Sequence, residues 1–121
     1  MADAVTTLGA ASRDYEKAVS EYEQIALDAA TAESDYKHAA AVFKTKARFE
    51  DPKVSAAYLD VMADADEELS GLLAERLRTA AVLDAAQKRI SQLKERVSTG
   101  RTYVASERAA DQIHAQGPHT T

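Results

Sequence analysis

The stretch that decides the fold is Phe49-Glu50-Asp51-Pro52-Lys53, near the middle of the 121-residue chain. An aspartate can accept hydrogen bonds from the free amide groups at the start of a helix, and proline suits the first helical position because it has no amide hydrogen. One helix is therefore expected to end here and another to begin. The predicted segments are a partly helical N-terminal segment at 1–11, helix 1 at 12–49, a turn at 50–52, helix 2 at 52–113 and a flexible tail at 114–121.

Small and apolar residues recur at alternating spacings of four and three residues on both sides of this turn, a pattern typical of helices that pack along one seam in a coiled coil. The downstream pattern is unbroken at Gly100, so helix 2 is expected to be the longer helix and to extend past Gly100. The upstream seam is Tyr15, Val19, Tyr22, Ala26, Ala29, Glu33, Tyr36, Ala40, Phe43 and Ala47. The downstream seam is Tyr58, Met62, Ala65, Leu69, Leu72, Arg76, Thr79, Leu83, Ala86, Ile90, Leu93, Val97, Gly100 and Val104.

Two seams joined by about three residues can pack together only if the chain reverses its direction. The distribution of charge favours the same reversal. It lays the acidic block 1–36 against the basic block 76–101, and the basic block 37–53 against the acidic block 54–75. With only four glycines and two prolines, little room is left for strands and tight turns. We predict an all-α fold, an antiparallel two-helix coiled-coil hairpin.

Polar residues interrupt both seams. Glu33 on helix 1 and Arg76 on helix 2 would lie about one turn apart in the hairpin, and helical side chains lean toward their own N-terminus. We predict that these two side chains form an ion pair that fixes the register of the helices. The alternative is that each side chain extends separately to water.

The composition favours a soluble, cytoplasmic protein that is not an enzyme. The chain has no cysteine, no long apolar run and no signal-peptide pattern at its start. No nucleotide-binding, hydrolase or metalloprotease motif occurs, so neither a catalytic site nor a cofactor is expected. The acidic run Asp60, Asp64, Asp66, Glu67 and Glu68 lacks the glycine-turned loop of a calcium site. It is interpreted as a solvated helix face, and no metal is expected.

Two basic clusters could contact phosphates or a partner protein. Against nucleic acid, the formal net charge is −5, and acidic residues of the opposing helix are expected to neutralise much of each cluster. Tyr103 could stack on a base or lie in a contact between subunits. The candidate contact residues are Lys37, Lys44, Lys46, Arg48, Lys88, Arg89, Lys94, Arg96, Arg101 and Tyr103.

Much of the seam is alanine, so a lone hairpin would bury little apolar area and should be marginally stable. A homo-oligomer or another protein partner is therefore expected, and no membrane partner. Apolar residues off the seam would supply the second face: Ile25, Leu27, Val42, Leu59, Val61, Leu73, Leu77 and Val82.

Three segments taken together, 32–37, 57–69 and 90–108, resemble small alanine-rich helical-hairpin proteins encoded by phages of actinobacteria, often beside recombination or replication genes. The resemblance implies an accessory role in phage DNA metabolism or host takeover. A long two-faced helical surface with no catalytic set favours an adaptor that binds another protein of a recombination, replication or host-defence complex inside the infected cell. The resemblance transfers no residue-level function. Nucleic-acid binding through the basic clusters is the first alternative.

A second resemblance is to the helical hairpins exported by type VII secretion. Tyr103-Val104-Ala105-Ser106-Glu107 fits the Tyr-x-x-x-acid export signal of that family. The Trp-x-Gly turn of the family is absent, because the chain has no tryptophan. Export by this route is the second alternative.

Overall fold

The computed structural model describes residues 3–116, which form three helices. Helix α1 is Ala4–Glu50, α2 is Ala56–Ala65 and α3 is Glu67–Gln116. Within the described range only Asp3, residues 51–55 and Asp66 lie outside helices, and no residue of that range is in a strand. The fold is therefore all-α, as predicted. The prediction of two helices differs from the structure, which has three.

The first helix begins earlier than expected. The Asp3 carboxylate accepts a 2.7 Å hydrogen bond from the Thr6 amide, and the Asp3 carbonyl accepts one of 3.0 Å from the Thr7 amide. The first of these bonds stabilises the charged carboxylate, which lowers the pKa of Asp3 below its usual value. Asp3 thus caps α1, and residues 4–11 belong to a full helix that continues through the predicted start at residue 12.

The predicted turn is longer than three residues, because Asp51 does not cap the next helix. The Asp51 carbonyl accepts a 3.1 Å hydrogen bond from the Val54 amide, and its carboxylate accepts one of 3.1 Å from the Lys53 amide. These bonds close a β-turn with Pro52 at its second position, where proline is favoured. Ser55 is the cap instead, since its hydroxyl accepts a 3.1 Å hydrogen bond from the Tyr58 amide. The second helical stretch therefore begins at 56 and not at 52.

Asp66 divides the predicted helix 2 into two helices. Its backbone is extended, with φ −72° and ψ 127°, and its amide donates to the Ala63 carbonyl at the end of α2. Its carboxylate accepts a 3.0 Å hydrogen bond from the Leu69 amide at the start of α3. Glu67 and Glu68 follow in the first turn of α3, where negative charge stabilises a helix. Asp66 is therefore both the C-cap of α2 and the N-cap of α3.

This interruption shifts the buried face of α2 by one residue. Leu59 is 1% exposed and Ala63 8%, whereas the predicted seam residues Tyr58 and Ala65 are exposed. The placement of Leu59 on a second, outer face was therefore wrong. C-terminal to the interruption the predicted seam contains five buried residues: Leu69, Thr79, Leu93, Val97 and Val104.

Helix α3 continues through Gly100, which the sequence pattern also predicts, and ends at Gln116. Residues 114–116, assigned to the flexible tail, are helical. Residues 1–2 and 117–121 lie outside the described residues.

The chain divides into two compact units. In the first, the described residues up to Tyr22 pack with those from Ala86 onward. The Gln87 side-chain amide donates a 3.1 Å hydrogen bond to the Tyr22 hydroxyl, and Leu8 lies against Gly100. Partners that are later in α1 are earlier in α3, so the two helices run antiparallel within this unit. Its buried residues are Leu93, Val97 and Val104.

The second unit is Glu23–Ala85. Lys44 of α1 contacts Asp60 of α2 at 2.9 Å, and Glu33 of α1 contacts Arg76 of α3 at 3.5 Å. The order of these partners is again antiparallel. Thr79 is the one buried polar residue described, and its hydroxyl donates to the carbonyls of residues 75 and 76, 2.9 and 3.1 Å away. Its burial therefore leaves no unsatisfied polar atom.

Two of the helical glycines, Gly71 and Gly100, offer a matched test of the close helix approach. An added β-carbon at Gly71 meets no atom within 4 Å, whereas at Gly100 it would lie 3.0 Å from Leu8 Cδ1. Alanine should stabilise an open helical site by about 0.5–1 kcal/mol. We expect Gly71→Ala to show this full gain in urea unfolding and Gly100→Ala to show little or none.

The control for this comparison is the same Gly100→Ala change in a Leu8→Ala background. With the opposing side chain removed, the gain should return to that of Gly71→Ala. An equal gain for Gly71→Ala and Gly100→Ala in the wild-type background would show that α1 and α3 do not approach closely at this position.

Candidate interaction surfaces

Arg76 connects α3 to α1 within the second unit. Its Nη2 atom lies 3.5 Å from Glu33 Oε1, and its guanidinium carbon lies 5.3 Å from the centroid of the Tyr36 ring. The structure thus brings together the Glu33 and Arg76 side chains that the sequence predicts as an ion pair. Control of register by this pair stays a prediction. The contact with Tyr36 was missed, although Tyr36 follows Glu33 by three residues and therefore shares its helix face.

The Glu33 carboxylate has a second and closer partner. Lys37 Nζ lies 3.1 Å from the same Oε1 atom. The hydrogen bond and charge of Lys37, followed by the charge of Arg76, lower the pKa of Glu33 below its usual value of 4.5. The side chains of Glu33 and Arg76 are 47% and 35% exposed, so solvent screens their attraction. Lys37, on the same helix, therefore lowers the pKa of Glu33 more than Arg76 on α3 does.

The basic cluster near the turn is only partly neutralised; its candidate contact residues are Lys37, Lys44, Lys46 and Arg48. Lys44 pairs with Asp60 across the helices and Lys37 pairs with Glu33 on its own helix. Lys46 and Arg48 are exposed and have no ion-pair partner within the described residues. Arg48 lies in the last turn of α1, where a positive charge interacts favourably with the helix dipole. The expected neutralisation across the helices therefore occurs at one lysine of this cluster.

A groove of about 310 Å³ lies beside the helix interruption in the second unit. Val42, Phe43 and Leu69 give it apolar walls. Lys46 lies on the α1 side, and Glu68 lies on the α3 side beside the Asp66 cap. The remaining lining residues are His38 and Ala39. We call it the Asp66 groove. It offers an apolar surface with a positive and a negative rim. The groove was not predicted from the sequence, because the helix break was not predicted.

Two further grooves lie in the first unit. One, of about 460 Å³, is lined by Ser12, Tyr15, Glu16, Lys94, Val97, Ser98 and Arg101. The other, of about 640 Å³, is lined by Thr7, Leu8, Ala11, Gln92, Glu95, Arg96, Thr99, Gly100 and Tyr103. The predicted contact residues Lys94 and Arg101 therefore share one groove, and Arg96 shares the other with Tyr103, which is 64% exposed. Lys88 and Arg89 are exposed on α3 and line neither of these grooves.

Large apolar side chains are exposed on all three helices. Of the residues predicted to lie off the seam, Ile25 and Leu73 are half-buried. Another five are exposed: Leu27, Val42, Val61, Leu77 and Val82. The sequence did not identify Phe49 as part of this set, although at 88% it is the most exposed of them. These residues are candidates for contacts with another chain.

Neither a metal centre nor a membrane-spanning helix is found in the range 3–116. No group of three or more histidine, aspartate or glutamate side chains there could hold a metal ion, and none of the helices is long and apolar enough to cross a bilayer. Comparisons of the chain with protein-family models, curated proteins and solved structures found no match. The candidate surfaces are therefore interpreted from their own chemistry.

Removing Lys37 and removing Arg76 should change the pKa of Glu33 by different amounts. We expect Lys37→Ala to raise the pKa of Glu33 more than Arg76→Ala does. NMR of the Glu33 carboxyl carbon measures this pKa in each variant. The pKa of Glu33 is lower in the folded protein than in the unfolded chain. The ionised Glu33 carboxylate therefore stabilises the fold above pH 4.5, and this stabilisation is lost as the pH falls through the lowered pKa. Lys37→Ala should narrow that window of pH-dependent stability.

Glu75 provides the control, because its pKa is lowered by a hydrogen bond from Arg78 and not by Lys37. Its titration should be the same in the wild type and in Lys37→Ala. A larger effect of Arg76→Ala than of Lys37→Ala on Glu33 would mean that the interhelical pair dominates.

Proposed function

We propose that the chain is a non-enzymatic helical adaptor that associates with itself and binds another protein. The observation that carries this proposal is the large area left in contact with solvent. The accessible surface is 9311 Å², whereas a folded monomer of 13.1 kDa exposes about 6,400 Å². A stable protein interface buries about 800 Å² on each partner, so the excess area is sufficient for more than one contact.

The composition of the buried residues supports the same proposal. The described core contains seven apolar residues, of which two are alanine, and eleven large apolar side chains are exposed. Burying one Leu or Phe side chain contributes about 1.5–3 kcal/mol, and an alanine contributes much less. Contacts with another chain would bury more of the exposed side chains and add the stability that the core of one chain lacks.

In this proposal the predicted coiled-coil hairpin is the part of the protein that presents the binding surfaces. A phage origin, a cytoplasmic location and a role in recombination, replication or host defence stay predictions from the sequence resemblance. Export by type VII secretion also stays a prediction. Tyr103 and Glu107 are four residues apart on α3 and both are exposed, which makes them accessible to a receptor.

Self-association is tested by light scattering of the purified chain across a range of concentrations. We expect a mass at least twice 13.1 kDa at micromolar concentration, and a melting temperature that rises as the protein concentration increases. A mass of one chain at all concentrations, together with a melting temperature independent of concentration, would contradict the self-associating adaptor.

Nucleic-acid binding is the second candidate function, favoured by the basic residues of α3. Arg89, Lys94, Arg96 and Arg101 have no ion-pair partner among residues 3–116, and three of them line grooves. The acidic residues Glu16 and Glu95 each line one of these grooves. Their negative charges weaken the attraction of the grooves for phosphate. This charge balance is why the candidate ranks second.

The second candidate predicts binding of a single-stranded oligonucleotide that falls steeply between about 50 mM and about 200 mM salt, measured by fluorescence anisotropy. Replacing Lys94 and Arg101 by glutamine should abolish it, whereas replacing Lys17, which pairs with Glu21, should have little effect. Binding that is insensitive to salt, or absent at low salt, would reject this function.

A further inference from the structure

The last turns of α1 present one exposed stripe. Val42, Lys46 and Phe49 are separated by four and three residues and therefore lie on the same face of the helix. Phe49 is 88% exposed and Val42 is 38% exposed. Aromatic side chains are enriched at the centres of protein interfaces, so an exposed ring such as that of Phe49 is a candidate anchor.

Two residues of this stripe line the Asp66 groove. Val42 and Lys46 line it together with Leu69 and Glu68, while Phe49 lies one turn beyond Lys46. The volume of about 310 Å³ is at the lower end for ligand clefts, a size that one aromatic side chain can occupy. The second unit therefore displays an exposed ring and, about 10 Å along the same helix face, an open apolar groove.

We propose that a second copy of this chain occupies the groove, with Phe49 of each copy inserted between Val42 and Leu69 of the other. A ring and a groove on one face are self-complementary about a two-fold axis, the symmetry of most homodimers. The axis would cross α1 between Val42 and Phe49, and the two α1 helices would run past it in opposite directions. This inference rests on the proposed self-association and assigns it a surface.

The charges of the groove suit this arrangement. Within residues 3–116 neither Lys46 nor Glu68 has an ion-pair partner, although both line the groove. Lys46 precedes the inserted Phe49 by one turn, so the proposed arrangement would bring it toward the acidic rim of the opposing groove. The dimer would pair Lys46 of each copy with the partner's Glu68, and the symmetry would form this pair twice.

Phe49→Ala tests the ring, with Val61→Ala as its matched control. Val61 is 62% exposed and lies in the same unit, but it does not line the groove. Analytical ultracentrifugation should show a dissociation constant at least about 30-fold higher for Phe49→Ala and nearly unchanged for Val61→Ala. Circular dichroism should show the same helix content in both variants, because both side chains are exposed.

Charge reversal tests whether the contact lies between two copies. Lys46→Glu and Glu68→Lys should each weaken the dimer when measured alone, because like charges then face each other at both pairs. An equimolar mixture of the two variants should form a dimer with the affinity of the wild type, since both opposite-charge pairs are restored. A pairing within one chain cannot give this rescue by mixing.

The possible failures are distinguishable. If the wild-type chain is monomeric, the proposed self-association and this inference both fail. If the wild type is a dimer but Phe49→Ala leaves its dissociation constant unchanged, or if mixing the charge variants gives no rescue, self-association stands and the second copy does not occupy the Asp66 groove.

Discussion

The hydrogen bond from the Leu69 amide to the Asp66 carboxylate determines where α3 begins, and the arrangement of the second unit depends on that position. A helix that starts at Glu67 directs Leu69 and Thr79 inward, and the extended residue before it allows α2 to direct Leu59 and Ala63 inward. In an uninterrupted helix the heptad spacing would bury Tyr58 and expose Leu59. One capping side chain therefore decides which apolar residues form the core.

The same interruption places the candidate docking surface. Asp66 and Glu68 line the groove opposite Val42 and Lys46, so the residues that start α3 also supply the acidic rim. The structure leaves Phe49 beyond this groove at the end of α1, where the Asp51 turn begins. Structure and proposed interaction thus share one cause. Asp66 caps α3, and the helix break that it makes places the groove on which a second copy is proposed to dock.

The sequence predicted the helical class, the antiparallel partners and most of the buried face of α3. Heptad spacing identifies Leu69, Leu93 and Val97 because burial along a continuous helix repeats with that period. It failed at Leu59, where the phase is reset by a cap within an otherwise helical pattern. Asp66 followed by two glutamates was a usable signal of a helix start, but an acidic run is equally typical of a solvated face.

The candidate surfaces were less predictable than the helices. The Glu33–Arg76 contact follows from seam position and side-chain direction, and both are set by helix geometry. The grooves depend on helix ends that were not predicted. The Asp66 groove lies at the unpredicted break between α2 and α3, and the groove beside Gly100 is lined by the first turns of α1, whose start was misplaced by eight residues. Asp51 and Ser55 are both suitable caps, and the sequence does not show that Ser55 caps α2 while Asp51 closes a β-turn.

The most direct test of this account is the backbone conformation of residues 58–72 in solution, measured by NMR from the α- and β-carbon chemical shifts. A helix break at Asp66 predicts helical shifts up to Ala65, an extended value at Asp66 and helical shifts again from Glu67, with slow hydrogen exchange at the Leu69 amide. Helical shifts that continue through Asp66 without interruption, with a buried Tyr58 ring, would contradict it.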